Sequence, residues 1–230
     1  MDFPLIYEFA AIFWTFAIGS IILRASETEG VSKGLLIIVK VIPAFSAAVF
    51  ALMIPGPSVT LFHILLAGAL VLCGLGDGEM EVNILPGLGL FLLAHITFTT
   101  DFVQESVRRG VGLSEWMIFG GALGVALVYV FAFVKYLKTS EQNIPEAMLR
   151  AVVIYAVMLS LTLSTSLLMW MSSGATLGFI PVLGSLLFVF SDSVIAVREF
   201  HHDIGRAHNL ILTTYFPAIF LLSSSVWIFL

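Results

Sequence analysis

The sequence predicts an all-α membrane protein, a bundle of about eight transmembrane helices forming one domain over residues 1–230 with no soluble domain. Three observations predict it. Hydrophobic residues fill 60% of the 230 positions and charged residues 11%, whereas a water-soluble domain is nearer half apolar and about a quarter charged. The apolar residues fall into stretches that match the roughly 20 helical residues needed to cross a bilayer. The connections between them are short and hold turn-forming residues.

The stretches follow one another closely. The first, 4–23, is apolar from its start. Asp2 and Glu8 stand where a signal peptide needs basic residues, and no small-residue cleavage site is evident, so it reads as a membrane helix rather than a removed segment. The second, 34–54, stops at Pro55-Gly56-Pro57. The third, 59–77, runs into the acidic stretch Asp77–Glu81. The fourth, 85–102, precedes Arg108-Arg109-Gly110. The fifth and sixth, 113–134 and 147–169, flank Gln142–Pro145. Ser172-Ser173-Gly174 separates the sixth from the seventh, 175–197. The polar stretch Arg198–Arg206 leads to the eighth, 208–229. Glycine and serine recur inside these stretches, as expected where helix backbones pack closely in lipid.

Charge narrows the function classes. The formal net charge is −5 with no basic run, which argues against a nucleic-acid partner. Cys73 lies in an apolar run and has no second cysteine to pair with, so it reads as a small hydrophobe. The odd-numbered loops and their flanks hold Arg24, Lys33, Lys135, Lys138, Arg150, Arg198 and Arg206, against Arg108 and Arg109 on the other side. The positive-inside rule then predicts cytoplasmic odd loops and both termini outside.

Ionisable groups inside a bilayer are costly and mark function by default. The candidates are Lys40, His63, Asp77, His95, Asp101, Asp192 and Tyr215. Counted along their helices at about 1.5 Å per residue, Lys40, Asp77, His95, Asp192 and Tyr215 fall in the cytoplasmic half, each on a different helix. His63 and Asp101 fall in the opposite half. A shared depth predicts one pocket open toward the cytoplasmic leaflet. Steps of three and four put His63, Ala67, Leu70, Gly74 and Asp77 on one face of the third helix. Gly87, Phe91, His95 and Phe98 form a stripe on the fourth, and Pro181, Gly184, Ser185, Phe188 and Asp192 on the seventh. Small and aromatic residues beside an acid suit an acyl chain with a polar end, and equally suit ordinary helix packing.

Other chemistries find less support. There is no Gly-x-Ser-x-Gly nucleophile elbow. No two histidines share a helix face at ligand spacing, and His201, His202, Asp203 and His208 read as a solvated loop, so no metal or cofactor is expected. A rhodopsin-like pigment protein needs a lysine in a late helix, and the late helices have none. A proton-coupled transporter remains the alternative, because intramembrane carboxylates and a lysine are what proton relays use. It calls for paired interrupted helices in two similar halves, and no such repeat is visible.

Five segments resemble the YhhN-like lysoplasmalogenase family. Leu66–Gly78 looks like the family's Gly-Asp helix end, and Pro86–Phe102 like its glycine-rich helix with Phe-x-x-x-His. Gly184–Phe200 is similar to its Ser-Asp helix, here Ser191-Asp192. Thr214-Tyr215 resembles its final Thr-Tyr, and Val39–Pro43 its early Lys and Pro pair. The last helix departs from the pattern, with Pro217-Ala218-Ile219 where many members have an Ala-Gln pair. The resemblance implies hydrolysis of the vinyl ether bond of a lysophospholipid, giving a fatty aldehyde and a glycerophospho-headgroup product. It carries the two family aspartates to Asp77 and Asp192, with Lys40, His95, Tyr215 and Ser191 as substrate-binding or orienting groups. Vinyl ethers hydrolyse by slow protonation at carbon, followed by capture of an oxocarbenium ion by water. A protonated carboxyl beside an ionised one can divide that work. The sequence does not say which aspartate is which.

Overall fold

The computed structural model describes residues 3–25, 32–54, 58–140 and 144–229. Asp2 and the turns expected at Pro55-Gly56-Pro57 and Gln142-Asn143 lie outside them. Eight long helices fill most of the described residues: α1 (Phe3–Ala25), α2 (Lys33–Met53), α3 (Leu61–Met80), α4 (Ile84–Arg109), α5 (Leu113–Leu137), α6 (Glu146–Ser173), α7 (Phe179–Phe200) and α8 (Ala207–Ser223). A single turn, α9 (Ser225–Ile228), follows. All eight expected spans are long and apolar enough to cross a membrane, the last running from Ala207 to Ile228. The protein is a multi-pass membrane protein.

Local chemistry sets several ends. Ser32 caps α2 by accepting from the Leu35 N–H at 3.2 Å, and Asn83 caps α4 by accepting from Leu85 at 3.1 Å. Gly174 ends α6 in the left-handed conformation, φ 61°, which glycine adopts without strain. His63 turns out to serve the start of α3: its Nδ1 accepts from the Thr60 N–H at 3.1 Å.

Several helices run further than the sequence suggests, α5 to Leu137 and α6 to Ser173 among them. α3 continues past Asp77 to Met80, so Asp77 lies a turn inside the helix rather than at its end. Its acidity reads as a loop, but packed partners hold the acids within the bundle. α4 continues to Arg109 because Glu105 pairs with both Arg108 and Arg109, one turn along. α7 continues to Phe200.

Packing makes a ring. α1, α2, α3, α4, α6, α7 and α8 each contact the next, and α8 returns to α1. α8 also touches α2 and α3, which brings it toward the ring's interior. α5 packs mainly on α6 from outside, and Val125, Val128 and Phe131 point away from the protein. Rings of Phe9 and Phe50 stack at 4.2 Å and Phe13 meets Phe220 at 5.2 Å, joining α1, α2 and α8. Gly184 lets α7 meet α8 closely: a Cβ there would lie 2.9 Å from the Ala218 carbonyl oxygen. The helix stripes expected from the sequence are largely buried, with Asp192 only partly so.

Candidate active site

Antiparallel neighbours gather the C-terminal ends of α1, α3, α5 and α7 and the N-terminal ends of α2, α4, α6 and α8 at one end of the bundle. Contacts from Arg24 to Glu81 and from Thr139 to His201 tie that end together. Two Asp–Tyr pairs lie just inside it.

The first pair is deeply buried. Asp77 is 2% exposed, and its Oδ2 accepts from the Tyr215 hydroxyl at 2.6 Å. Lys40 Nζ stands 3.7 Å from Asp77 Oδ1 and donates to Glu81 Oε1 at 3.0 Å. It also reaches the Asp77 carbonyl at 3.4 Å. Arg24 pairs with the other Glu81 oxygen. Charges of both signs therefore alternate from α1 through α3 to α2, ending on Asp77 and the hydroxyl from α8. Such burial is tolerable because each charge has a partner.

The second pair faces open space. Asp192 accepts from the Tyr155 hydroxyl of α6, and among the described residues no cation pairs with it. It lines a cavity of about 250 Å³ between α4, α6, α7 and the end of α3. The walls are apolar, with Leu88, Leu92, Ile154, Ile195 and Phe91 among them, while Asp192 and Tyr155 supply the ionisable groups. Phe91 packs against Gly76, where a Cβ would come within 2.9 Å of the ring. On its other side Asp192 lines a second, mostly apolar space of about 40 Å³ between α5, α6 and α7, with Tyr129, Ser160 and Ser193 among its residues.

Aromatic rings join the two pairs. The His95 ring meets Tyr155 edge-on at 5.6 Å and Phe188 at 4.6 Å. Phe188 in turn meets Tyr215 at 5.4 Å. His95 is fully buried, its Nδ1 lies 3.1 Å from the Thr162 hydroxyl, and its Nε2 has no hydrogen-bond partner among the described residues.

The structure therefore brings Lys40, Asp77, His95, Asp192 and Tyr215 to one end, as their depths suggest, but not into the single pocket expected: Asp192 lines the apolar cavity, Lys40 a separate polar one, and Asp77, His95 and Tyr215 neither, because aromatic rings pack between the two Asp–Tyr pairs. Ser191 sits beside them but turns to α8, donating to the Ile211 carbonyl at 3.3 Å. Sequence reasoning missed Tyr155, Arg24, Glu81 and Thr162. Tyr155 carried the same depth signal as the rest, nine positions after the α6 start at Glu146. Glu81 was read as part of a loop, and Arg24 only as an orienting charge.

Comparison with known proteins places the chain in a family. The model of the YhhN family matches residues 35–226. The chain belongs to the YhhN family. The matched stretch contains both Asp–Tyr pairs, Lys40 and His95. Among curated proteins, the chain is 28% identical over 163 residues to lysoplasmalogenase TMEM86B of Homo sapiens, a match covering 70% of this chain and 62% of that protein. It is 27% identical over 191 residues to lysoplasmalogenase TMEM86B of Sus scrofa, covering 82% of this chain and 74% of that protein. No solved structure matches.

Proposed function

We propose that this YhhN family member is a membrane lysoplasmalogenase, with residues 1–230 acting as one transmembrane domain. It takes a lysophospholipid from the bilayer and hydrolyses its vinyl ether bond. The observation that carries the reading is the Asp192–Tyr155 pair on the wall of an apolar cavity, backed by a second, lysine-held Asp–Tyr pair.

The surroundings divide the work between the carboxyls. Asp77 faces the Lys40 ammonium and accepts from the Tyr215 hydroxyl, an arrangement that favours the carboxylate. Asp192 has only a hydroxyl partner in apolar surroundings, which suits a carboxylic acid holding its proton. With the alkenyl chain in the cavity, Asp192 protonates the outer vinyl carbon. The adjacent carbon becomes part of an oxocarbenium ion, which the nearby negative charge of Asp77 stabilises. Water adds to that carbon and returns its proton to Asp192. The hemiacetal then collapses to a fatty aldehyde, and the ether oxygen leaves as the glycerol hydroxyl. Acid–base help of this kind is worth about 10²–10⁴-fold. Tyr155 and Tyr215 hold the two carboxyls, and His95 fixes the ring of Tyr155 from the side.

A transporter of the kind considered above needs paired interrupted helices. Among the described residues seven spans are continuous helix, and the last, Ala207–Ile228, is broken only at Ser224 near its end, so no pair of interrupted helices is present. The positive charges flanking the odd loops favour placing the site end in the cytoplasmic leaflet. The test is fatty aldehyde release by purified protein in detergent from a lysoplasmenyl-ethanolamine. Release by the natural chain, lost in Asp192→Asn with the fold intact, is expected. No aldehyde from the natural chain sinks the assignment.

A further inference from the structure

Beside the apolar cavity lies a polar one of about 250 Å³ whose walls include Arg24, Lys40, Arg198 and His208. Met80 and Ile195 border both, so the two spaces are neighbours across those side chains. Arg24, Arg198 and His208 also line a larger polar space of about 850 Å³ at the end of the bundle. The charged walls of the inner polar cavity hold three permanent cations against one carboxylate, Glu81. Glu81 is shared by Arg24 and Lys40, while Arg198 pairs with Glu199 at 2.6 Å and stands 3.3 Å from His208 Nε2. The N-terminus of α8 opens on the outer space at Ala207, His208 and Asn209, and Asp203 is the carboxylate on that rim. A helix N-terminus adds to the pull on an anion.

The geometry points to this cavity as the phosphate site for the lysophospholipid headgroup, with Arg198 and Arg24 as its principal ligands. This rests on the reading of the chain as an enzyme of lysophospholipids and adds where the charged end goes. Position along α7 supports it. Asp192, Ile195 and Arg198 are spaced by threes and step round the helix from the apolar cavity to the polar one, with Ile195 on both walls, and Arg198 stands about 9 Å along the axis from Asp192. A three-carbon glycerol backbone and the reach of an arginine side chain cover that distance. The vinyl ether then lies at Asp192, the chain in the apolar cavity, and the glycerol passes between Met80 and Ile195. An arginine fork matches phosphate oxygens in pairs, which a lysine does not.

The test uses full-length protein in detergent and three probes: a non-hydrolysable alkyl-ether lysophosphoethanolamine, the same alkyl glycerol without its headgroup, and inorganic phosphate. The natural chain is expected to bind the lysophospholipid well above the other two. In Arg198→Gln, binding of the phosphate-bearing lipid falls about tenfold, the scale of one lost charge-assisted hydrogen bond. Binding of the alkyl glycerol falls far less. Arg198→Lys recovers part of the loss, and Arg24→Gln repeats it. Equal losses for both lipids, or no loss, overturn the assignment, as does inorganic phosphate binding as tightly as the lipid. Because the probe is not hydrolysed, binding is read whether or not the natural chain releases aldehyde from a lysoplasmalogen. Failure of the headgroup site and failure of the enzymatic reading therefore give separate results.

Discussion

The two ends of the bundle treat the same residue type in opposite ways. At one end Asp77 and Asp192 each accept a hydrogen bond from a tyrosine on another helix, and Asp192 borders open space. Toward the other end Asp101 is fully buried, neither carboxyl oxygen has a hydrogen-bond partner among the described residues, and it lines none of the cavities described above. Glu105, one turn on, is held by Arg108 and Arg109. An acid inside a membrane helix is thus not by itself a site. What separates the two ends is a donor from a second helix and room for a ligand.

That contrast can be broken by substitution. Asp192→Asn and Asp77→Asn should each lower aldehyde release by about 10²–10⁴-fold, measured on protein shown to be folded by its size-exclusion profile. An equal loss in Asp101→Asn would erase the distinction between the ends. Lys40→Met leaves Asp77 without its cation and should cost about 3–5 kcal/mol of stability, read as a lower thermal midpoint. Adding Asp77→Asn to it should recover part of that loss, and a simple sum of the two costs would mean that Lys40 and Asp77 do not act as a pair.

Smaller effects sharpen the picture. Tyr155→Phe removes the donor that steadies the carboxylate formed as Asp192 gives up its proton, and the turnover rate should fall about ten- to a hundredfold, as one hydrogen bond to a charged group is worth about 1.5–3 kcal/mol. An unchanged rate would make Tyr155 a packing residue. Asp101→Asn should leave activity within about twofold and the thermal midpoint level or higher, because the residue replaced is a buried acid without a partner.

Much of this was legible from the sequence, for reasons that also explain the gaps. The apolar stretches fix eight spans because the bilayer sets their length. Depth along a helix can be counted, so Lys40, Asp77, His95, Asp192 and Tyr215 could be placed together before any packing was known. Periodicity gave the buried face of α3. What helix counting does not give is which helix stands beside which. α4 meets α6 directly while α5 lies outside, and that arrangement brings Tyr155 to Asp192 and shapes the apolar cavity. α5 is as apolar as a core helix, so composition does not betray its position. The lengths of α3 and α4 escaped for a related reason: acidic and basic residues there look like loops until their partners are seen. Ser191 shows the opposite limit, a polar residue beside the site whose hydroxyl is turned to the backbone of α8.

The position of Asp192 between two spaces has a consequence for reactant traffic. On one side lie about 250 Å³ walled by hydrocarbon side chains, and on the other about 40 Å³ whose wall is also mostly apolar, with Tyr129, Ser160 and Ser193 among its residues. A cavity needs roughly 10–15 Å³ of such volume to admit a water molecule, so the smaller space is of that scale and too small for a lipid chain. One carboxyl thus borders two spaces of unequal size, the larger with room for a hydrocarbon chain and the smaller only for water-sized molecules. In the proposed hydrolysis the larger space takes the lipid chain and the smaller only water-sized reactants, so size would separate the two at a single carboxyl.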